Sequence, residues 1–359
     1  MSTTIGQYGD AGASLILSSG IKDMNLENET LSWETSAGTL SETYAGLGST
    51  RSTAISLTPQ ITQVGAWQAN ITNAQTNLTV TATALTQLVS QAQSMATSLV
   101  GISGTTSPGA VTSVAVQATS TLTELQSVLN TSSGSGYVFS GNDSNTPPIN
   151  GNMPLANSAL AAQISDIVGT LGSAGASSVM ANATTAASDP SLSVFSPSLS
   201  VSPGAAVGLQ RSVVTGDNSS IAVGIVATQG TATSSASSTS TGSPIRDLMR
   251  DMMIMSSMKN MSPSTSGFSD LVNQLNASLT TTIGQLTDME STVGVTQDGL
   301  TSQSTLLTSV QSMLKTQLSN ARDADIASVA TETSELNTRL EASYILVSDM
   351  KNMTLANYI

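Results

Sequence analysis

Toward the C-terminal end, Val272, Leu279, Leu286, Val293, Leu300, Leu307, Leu314 and Ala321 stand seven residues apart without a slip. An apolar seam of that period belongs to a helix that wraps on a partner helix. Leu275, Ile283, Met289 and Val310 widen the stripe, and Thr296, Gln303 and Gln317 thin it. At 1.5 Å per residue such a helix runs roughly 75 Å, far beyond an ordinary globular one. Gly294 and Gly299 fall inside it, but the register continues across them, which predicts weak points rather than breaks. A second seam passes through Ile61, Val64, Ile71, Leu78, Ala82, Leu85, Val89, Ala92, Ala96 and Leu99, with Gln68 and Gln75 in the remaining slots. It predicts a partner helix of similar length.

"GISGTTSPG" ends that second helix, and Val111, Val114, Ala118, Leu122, Leu125 and Val128 resume a helical stripe. The turn-forming stretch "NTSSGSGYVFSGNDSNTPPINGN" closes it around a short strand-like "YVF". Between about residues 156 and 243 the chain becomes Ser-, Ala-, Gly- and Thr-rich, and in "RSVVTGDNSSIAVGIV" the alternation of Ile221, Val223 and Ile225 after a Gly-Asp-Asn turn predicts a β-hairpin. "TQGTATSSASSTSTGSP" reads as a flexible linker, and Pro244 suits the first turn of a returning helix. Each end carries an amphipathic helix. Leu17, Ile21, Met24 and Leu31 share one face near the start, as do Ile326, Val329, Leu336, Leu340, Val347 and Met350 near the end. The predicted fold is mainly α: a long antiparallel coiled-coil-like helical rod formed by the N- and C-terminal halves, with a small inserted β-containing domain. Its expected division is a terminal helical assembly domain (1–46 and 321–359), a helical rod (47–150 and 244–320) and an inserted small α/β or β domain with a Ser/Thr-rich linker (151–243).

Composition narrows the function. Charged residues are 9% and aromatic residues 3% of the 359, so cores must be aliphatic and aromatic-lined pockets few. The net charge is -13, and no Lys or Arg stands between Arg51 and Arg211, which disfavours nucleic-acid binding. Cysteine and histidine are both absent, which removes disulfides, thiolate metal sites, the commonest metal ligand and the commonest general base. No apolar run suits a membrane span, and the start lacks the basic region of a secretory leader, so any export is expected without a cleaved signal.

The segment "LNTSSGSGYVFSGNDSNTPPI" resembles the flagellin superfamily, most closely its hook–filament junction members (hook-associated protein 3), where a helix ends in Asn-Thr, a glycine turn, Gly-Tyr-x-Phe-x-Gly and a Pro pair. The tail "RDADIASVATETSELNTRLEASYILVSDMKNMTLANYI" is similar to that family's terminal helix, and "STVGVTQDGL" to its Gly-containing rod segment. The family's Ser-Gly and paired-aspartate motif is absent, and "YAGLGSTRSTAISLTPQI" stands there instead, so contacts near Arg51 are not carried over. The resemblance implies an extracellular structural subunit of the bacterial flagellum, sent unfolded through the flagellar export apparatus. Its implied partners are copies of itself in a helical assembly, other axial proteins (hook-associated protein and flagellin) and an export chaperone on the C-terminal helix. A filament flagellin is the close alternative, and a secreted non-enzymatic binding rod another.

Apolar residues at the two ends cover more than one stripe, and neighbouring subunits could cover the surplus. The expected subunit interface comprises Leu15, Leu17, Ile21, Met24, Leu31, Ile326, Val329, Leu336, Leu340, Tyr344, Val347, Leu355 and Tyr358. Other motifs read as structural. "GSGYVFSG" has its last glycine too late for a phosphate-binding G-x-G-x-x-G and follows a helix instead of opening one. "NDSN" lacks the Gly and closing Glu of a calcium loop. The cluster Met249, Met252, Met253, Met255, Met258 and Met261 reads as adaptable core, and Asn-x-Ser/Thr triplets such as the one at Asn130 arise by chance in so Asn-, Ser- and Thr-rich a chain. Asp323 and Asp325 fall on different helical faces, while Asp247 and Asp251 pair with Arg250 and the preceding turn. No acids converge, so no enzyme, cofactor or metal site is expected.

Overall fold

In the computed structural model, which describes residues 10–150 and 153–352, the chain is mainly α. Its helices are α1 (Asp10–Ala37), α2 (Arg51–Ile102), α3 (Pro108–Leu129), α4 (Ala159–Gly169), α5 (Leu171–Ala174), α6 (Ala176–Ser188), α7 (Pro203–Val207), α8 (Pro244–Ser257), α9 (Phe268–Arg322) and α10 (Ile326–Asn352). Strands occur only as two-stranded hairpins among the described residues: β1 (Ser132–Ser133) with β2 (Gly136–Tyr137), β3 (Arg211–Gly216) with β4 (Ser219–Val223), and β5 (Ala236–Ser237) with β6 (Ser240–Thr241). The chain divides into two compact units, residues 67–306 and residues 1–66 with 307–359.

The unit of residues 67–306 is organised by the two seams. Along α9, Val272, Leu279, Leu286, Val293 and Leu300 are all buried, and α2 answers with Ile71, Leu78, Leu85, Ala92 and Leu99. Gln75 to Thr301, Gln297 to Thr79 and Thr86 to Glu290 are hydrogen-bonded across the pair, which fixes an antiparallel register. Gly294 and Gly299 lie within an unbroken α9; solvent faces both, so nothing is lost there but propensity. The stripe of α3 is buried from Val111 to Val128, and Gln91 to Glu124 and Ser98 to Gln117 tie it antiparallel to α2.

α2 begins at Arg51, ten residues before the first apolar position of the predicted seam, and runs through Pro59. Burial of Ala54 and Leu57 offsets the missing N–H and the clash with the preceding turn.

The middle segment holds both helices and hairpins, with α4 and α6 packed together and against α8, and its strands are confined to the hairpins. The expected hairpin pairs Val213 with Ile221 and Arg211 with Val223, and a register shift between Val214 and Gly216 leads into the Asp217–Asn218 turn. The Ser/Thr-rich segment before Pro244 is not a free linker. It folds as β5–β6 and is bonded down: Ser240 Oγ donates to Asp247 Oδ2 at 2.6 Å, the Thr241 N–H to Asp247 Oδ1 at 2.8 Å, and Ser234 Oγ to the Gly242 carbonyl at 2.9 Å. Composition alone misses this, because hydroxyls and backbone groups that look like spacer are the partners that the charges of α8 require.

α8 is buried on every side from Pro244 to Met255. Met249, Met252, Met253, Met255 and Met258 are all in the core, whereas Met261 is half-buried. Two arginines and two aspartates lie among them. Arg250 bridges Asp251 Oδ1 at 2.7 Å and Asp247 Oδ1 at 3.1 Å with no exposed side-chain surface. Arg246 lies over the Phe195 ring at 5.6 Å and donates from Nη2 to the Val201 carbonyl at 2.7 Å.

Burial pushes the Asp251 carboxyl up to about 6, against the opposing pull of Arg250 and of the Ser278 hydroxyl. Between roughly pH 4 and 6 the folded protein therefore holds a proton that the unfolded chain has released, so this group adds stability as pH falls through that window. The expected gain is about 3 kcal/mol once pH is below about 4, roughly half of it already present at pH 5. Calorimetric melting at pH 5 and pH 7.5 tests it: Asp251→Asn should flatten the difference, and an unchanged pH profile in that variant would refute the assignment.

Candidate assembly surface

In the unit of residues 1–66 and 307–359, α1 packs on α10. Leu31, Val329, Leu336 and Leu340 form one buried cluster, with Met24 and Ala324 against it. The stripe on α10 is straight: Val329, Leu336, Leu340 and half-buried Val347 recur at the spacing that keeps one helical face. A second cluster of Leu47, Ala54 and Ala321, with Leu40 and Leu318 against it, lies at the base of the pair. Short backbone links join the two chain segments there. The Leu40 N–H donates to the Arg322 carbonyl at 2.8 Å, the Ala324 N–H to the Gly38 carbonyl at 3.0 Å, and Thr50 Oγ1 to the Ala321 carbonyl at 2.7 Å. Glu34, drawn partly under cover and facing Glu332, has its carboxyl raised above the usual range, by burial first and by Glu332 second.

On α1 the opposite face remains apolar and open, and on α10 one turn is apolar and open nearly all round. On α1, Leu15, Leu26 and Trp33 are exposed; Leu15 and Trp33 stand about five helical turns apart, hence on one face, with Leu26 between them. That face lies across the helix from Met24 and Leu31. On α10, Tyr344, Ile345 and Leu346 are consecutive and 53%, 62% and 52% exposed. With Val347 half-buried behind them, this turn is apolar nearly all round. A lone helix pair in water has no use for such an outer coat.

The residues expected at a subunit interface thus fall into two groups. Leu31, Val329, Leu336 and Leu340 are used inside the monomer, while Leu15, Ile326 and Tyr344 are open and Leu17, Ile21, Met24 and Val347 are half-buried. Ile326 is 50% exposed although it stands within one turn of Val329, because it is the first residue of α10. Leu355 and Tyr358 lie outside the described residues, as does the side chain of Met350. Leu26 and Trp33 were missing from the sequence-level set; their spacing about five turns from, and partway to, Leu15 was the available signal.

Residues 277–359 match the bacterial flagellin C-terminal helical region. The match takes in the latter part of α9 and all of α10, including the exposed 344–346 turn. The fold is also similar to that of a solved structure, a protein assigned as a flagellar hook-associated protein from Vibrio parahaemolyticus. The TM-score is 0.52 at 11% sequence identity, over 75% of this chain and 96% of that one. No curated protein sequence matches the chain. No helix among the described residues is long and apolar enough to cross a membrane.

Proposed function

We propose that this protein is a non-enzymatic structural subunit of the bacterial flagellum, outside the cell, and that within it the protein serves as the hook–filament junction. The observation that carries the reading is the apolar outer coat on α1 and α10, the latter within the segment similar to the flagellin C-terminal region. Residues 1–46 and 321–359 act as the assembly domain, residues 47–150 and 244–320 as a helical body, and residues 151–243 as an insertion. Leu31, Val329, Leu336 and Leu340 hold the two terminal helices together. Leu15, Ile326 and Tyr344, joined by Ile16, Leu26, Trp33, Ile345 and Leu346, meet neighbouring copies and other axial proteins. Leu17, Ile21, Met24, Val347, Leu355 and Tyr358, expected at the interface from the sequence, are proposed as further contacts, Met24 being also packed on the internal cluster. Before assembly the same surface on the C-terminal helix is held by an export chaperone, and the chain leaves unfolded through the flagellar export apparatus.

A filament flagellin is the second reading, favoured by the flagellin match itself, whereas the fold similarity to a hook-associated protein favours the junction. Labelling of an epitope-tagged chain on native flagella separates them. Label confined to the filament base is the expected result; label along the whole filament would assign the chain to the filament, and absence from the organelle would end both readings.

A further inference from the structure

The glycine-rich turn at residues 134–141 has several backbone donors engaged within the protein. The Tyr137 N–H donates to the Ser144 carbonyl at 2.8 Å, the Val138 N–H to the Thr131 carbonyl at 3.2 Å, and the neighbouring Asn142 N–H to the Leu209 carbonyl at 2.9 Å. The turn is also one wall of a cavity of about 330 Å³, completed by α2 and by the β3–β4 hairpin. That volume is within the range of small-molecule sites, about 300–1,000 Å³. Gly141 has a φ of 60°, and a Cβ there would strike the Leu209 carbonyl, so the wall approaches as closely as glycine alone permits.

The lining has a distinct chemistry. Arg211, Ser212, Asn70, Asn73 and Asn77 border the space, Val138, Val223, Ile225 and Val226 supply an apolar side, and no Asp or Glu lines it. Two of the amides are held in place: Asn70 Nδ2 donates to the Val214 carbonyl at 3.2 Å, and Asn77 Nδ2 to Ser135 Oγ at 2.7 Å. Arg211 makes no ion pair among the described residues. In residues 67–306 the other cations are Lys259 and the arginines buried on α8, Arg246 and Arg250. A half-buried guanidinium with no ion pair among the described residues, bordering a cavity that no carboxylate lines, is placed to receive one negative charge.

We infer that this cavity binds a small carboxylated polyol of the acidic-sugar class, its carboxylate on Arg211, its hydroxyls on Asn73 and Ser212, and its C–H face on the valine side. A single guanidinium balances one carboxylate; the second charge of a phosphate would find no cation here. The inference is independent of assembly, since a monomeric chain suffices to read it.

Titration of the full-length chain with D-galacturonate, followed by NMR chemical shifts, is the test, with D-galactose and D-galactose 6-phosphate as parallel arms. Galacturonate should bind saturably and at least 10-fold more tightly than either comparison sugar. Arg211→Gln and Asn73→Leu should each weaken it 10-fold or more while leaving the circular-dichroism melt in place. Absence of saturation by galacturonate, equal binding of galactose, preference for the phosphate, or undiminished binding by folded Arg211→Gln would each overturn the inference.

Discussion

Replacing Tyr344, Ile345 and Leu346 together by serine is expected to leave the monomer folded and to abolish its assembly. These side chains are each more than half exposed and none belongs to the cluster of Leu31, Val329, Leu336 and Leu340, so the isolated chain should stay folded with its melting temperature lowered by several degrees. In an assembly they would be covered. Full burial of such a side chain is worth about 1.5–3 kcal/mol, of which the monomer already has about half, leaving about 3 kcal/mol for the three on assembly. An association constant should therefore fall roughly 100-fold per contact, and more in a helical array where each subunit makes several. Light scattering and pelleting of the purified chain over a concentration series measure this. Polymer formation by the triple variant at the wild-type critical concentration would show that the outer coat is not the assembly surface. Deletion of residues 336–359 is a less discriminating experiment, because it also removes Leu336 and Leu340 from the cluster that holds Leu31.

The repeat from Val272 to Ala321 was legible because a single physical demand, burial against one partner helix, acts on every seventh position. The same demand made α1, α3 and α10 readable. The turns of α2 before Ile61 were not, because Pro59 stands among them and their burial at Ala54 and Leu57 is tertiary. The segment before Pro244 was misread for the opposite reason. Ser and Thr in low-complexity order resemble spacer, and only the position of Asp247 and Arg250 beneath them turns their hydroxyls and carbonyls into required partners. At the terminal helices the surplus of apolar residues was visible in sequence, but which of them the monomer spends internally was not. Leu31 and Trp33 are two apart and equally apolar, yet only Leu31 meets α10. The cavity beside Arg211 is assembled from α2, the residue 134–141 turn and a hairpin more than 60 residues further on, so its single cation looked isolated along the chain.

Replacement of Arg250 by alanine should be the most damaging single substitution in the unit of residues 67–306. Its guanidinium donates from Nε and Nη2 to Asp251 Oδ1 at 2.9 and 2.7 Å, and from Nη1 to Asp247 Oδ1, to Thr184 Oγ1 at 2.8 Å and to the Thr239 carbonyl at 2.9 Å. Nη2 also reaches Ser278 Oγ at 2.7 Å. The pairing as a whole need not stabilise much, since taking an arginine and two carboxylates out of water costs nearly what their attraction returns. Truncating one partner is different: two buried carboxylates lose their counter-charge and a cavity opens beside them. The expected loss is about 3–5 kcal/mol, which for a unit of this size lowers its melting temperature by roughly 10 °C. Methionine at the same position fills the cavity yet leaves the charges, so it should recover only part of the loss, whereas Arg250→Met combined with Asp251→Leu should recover most of it. The deficit of Arg250→Ala should also shrink between pH 7.5 and pH 5, because Asp251 without its partner takes up a proton more readily than it already does in the intact cluster. A melting temperature for Arg250→Ala within a few degrees of wild type at pH 7.5, with no dependence on pH, would mean that α8 is held by its methionines alone and that the buried charges are incidental to its place in the core.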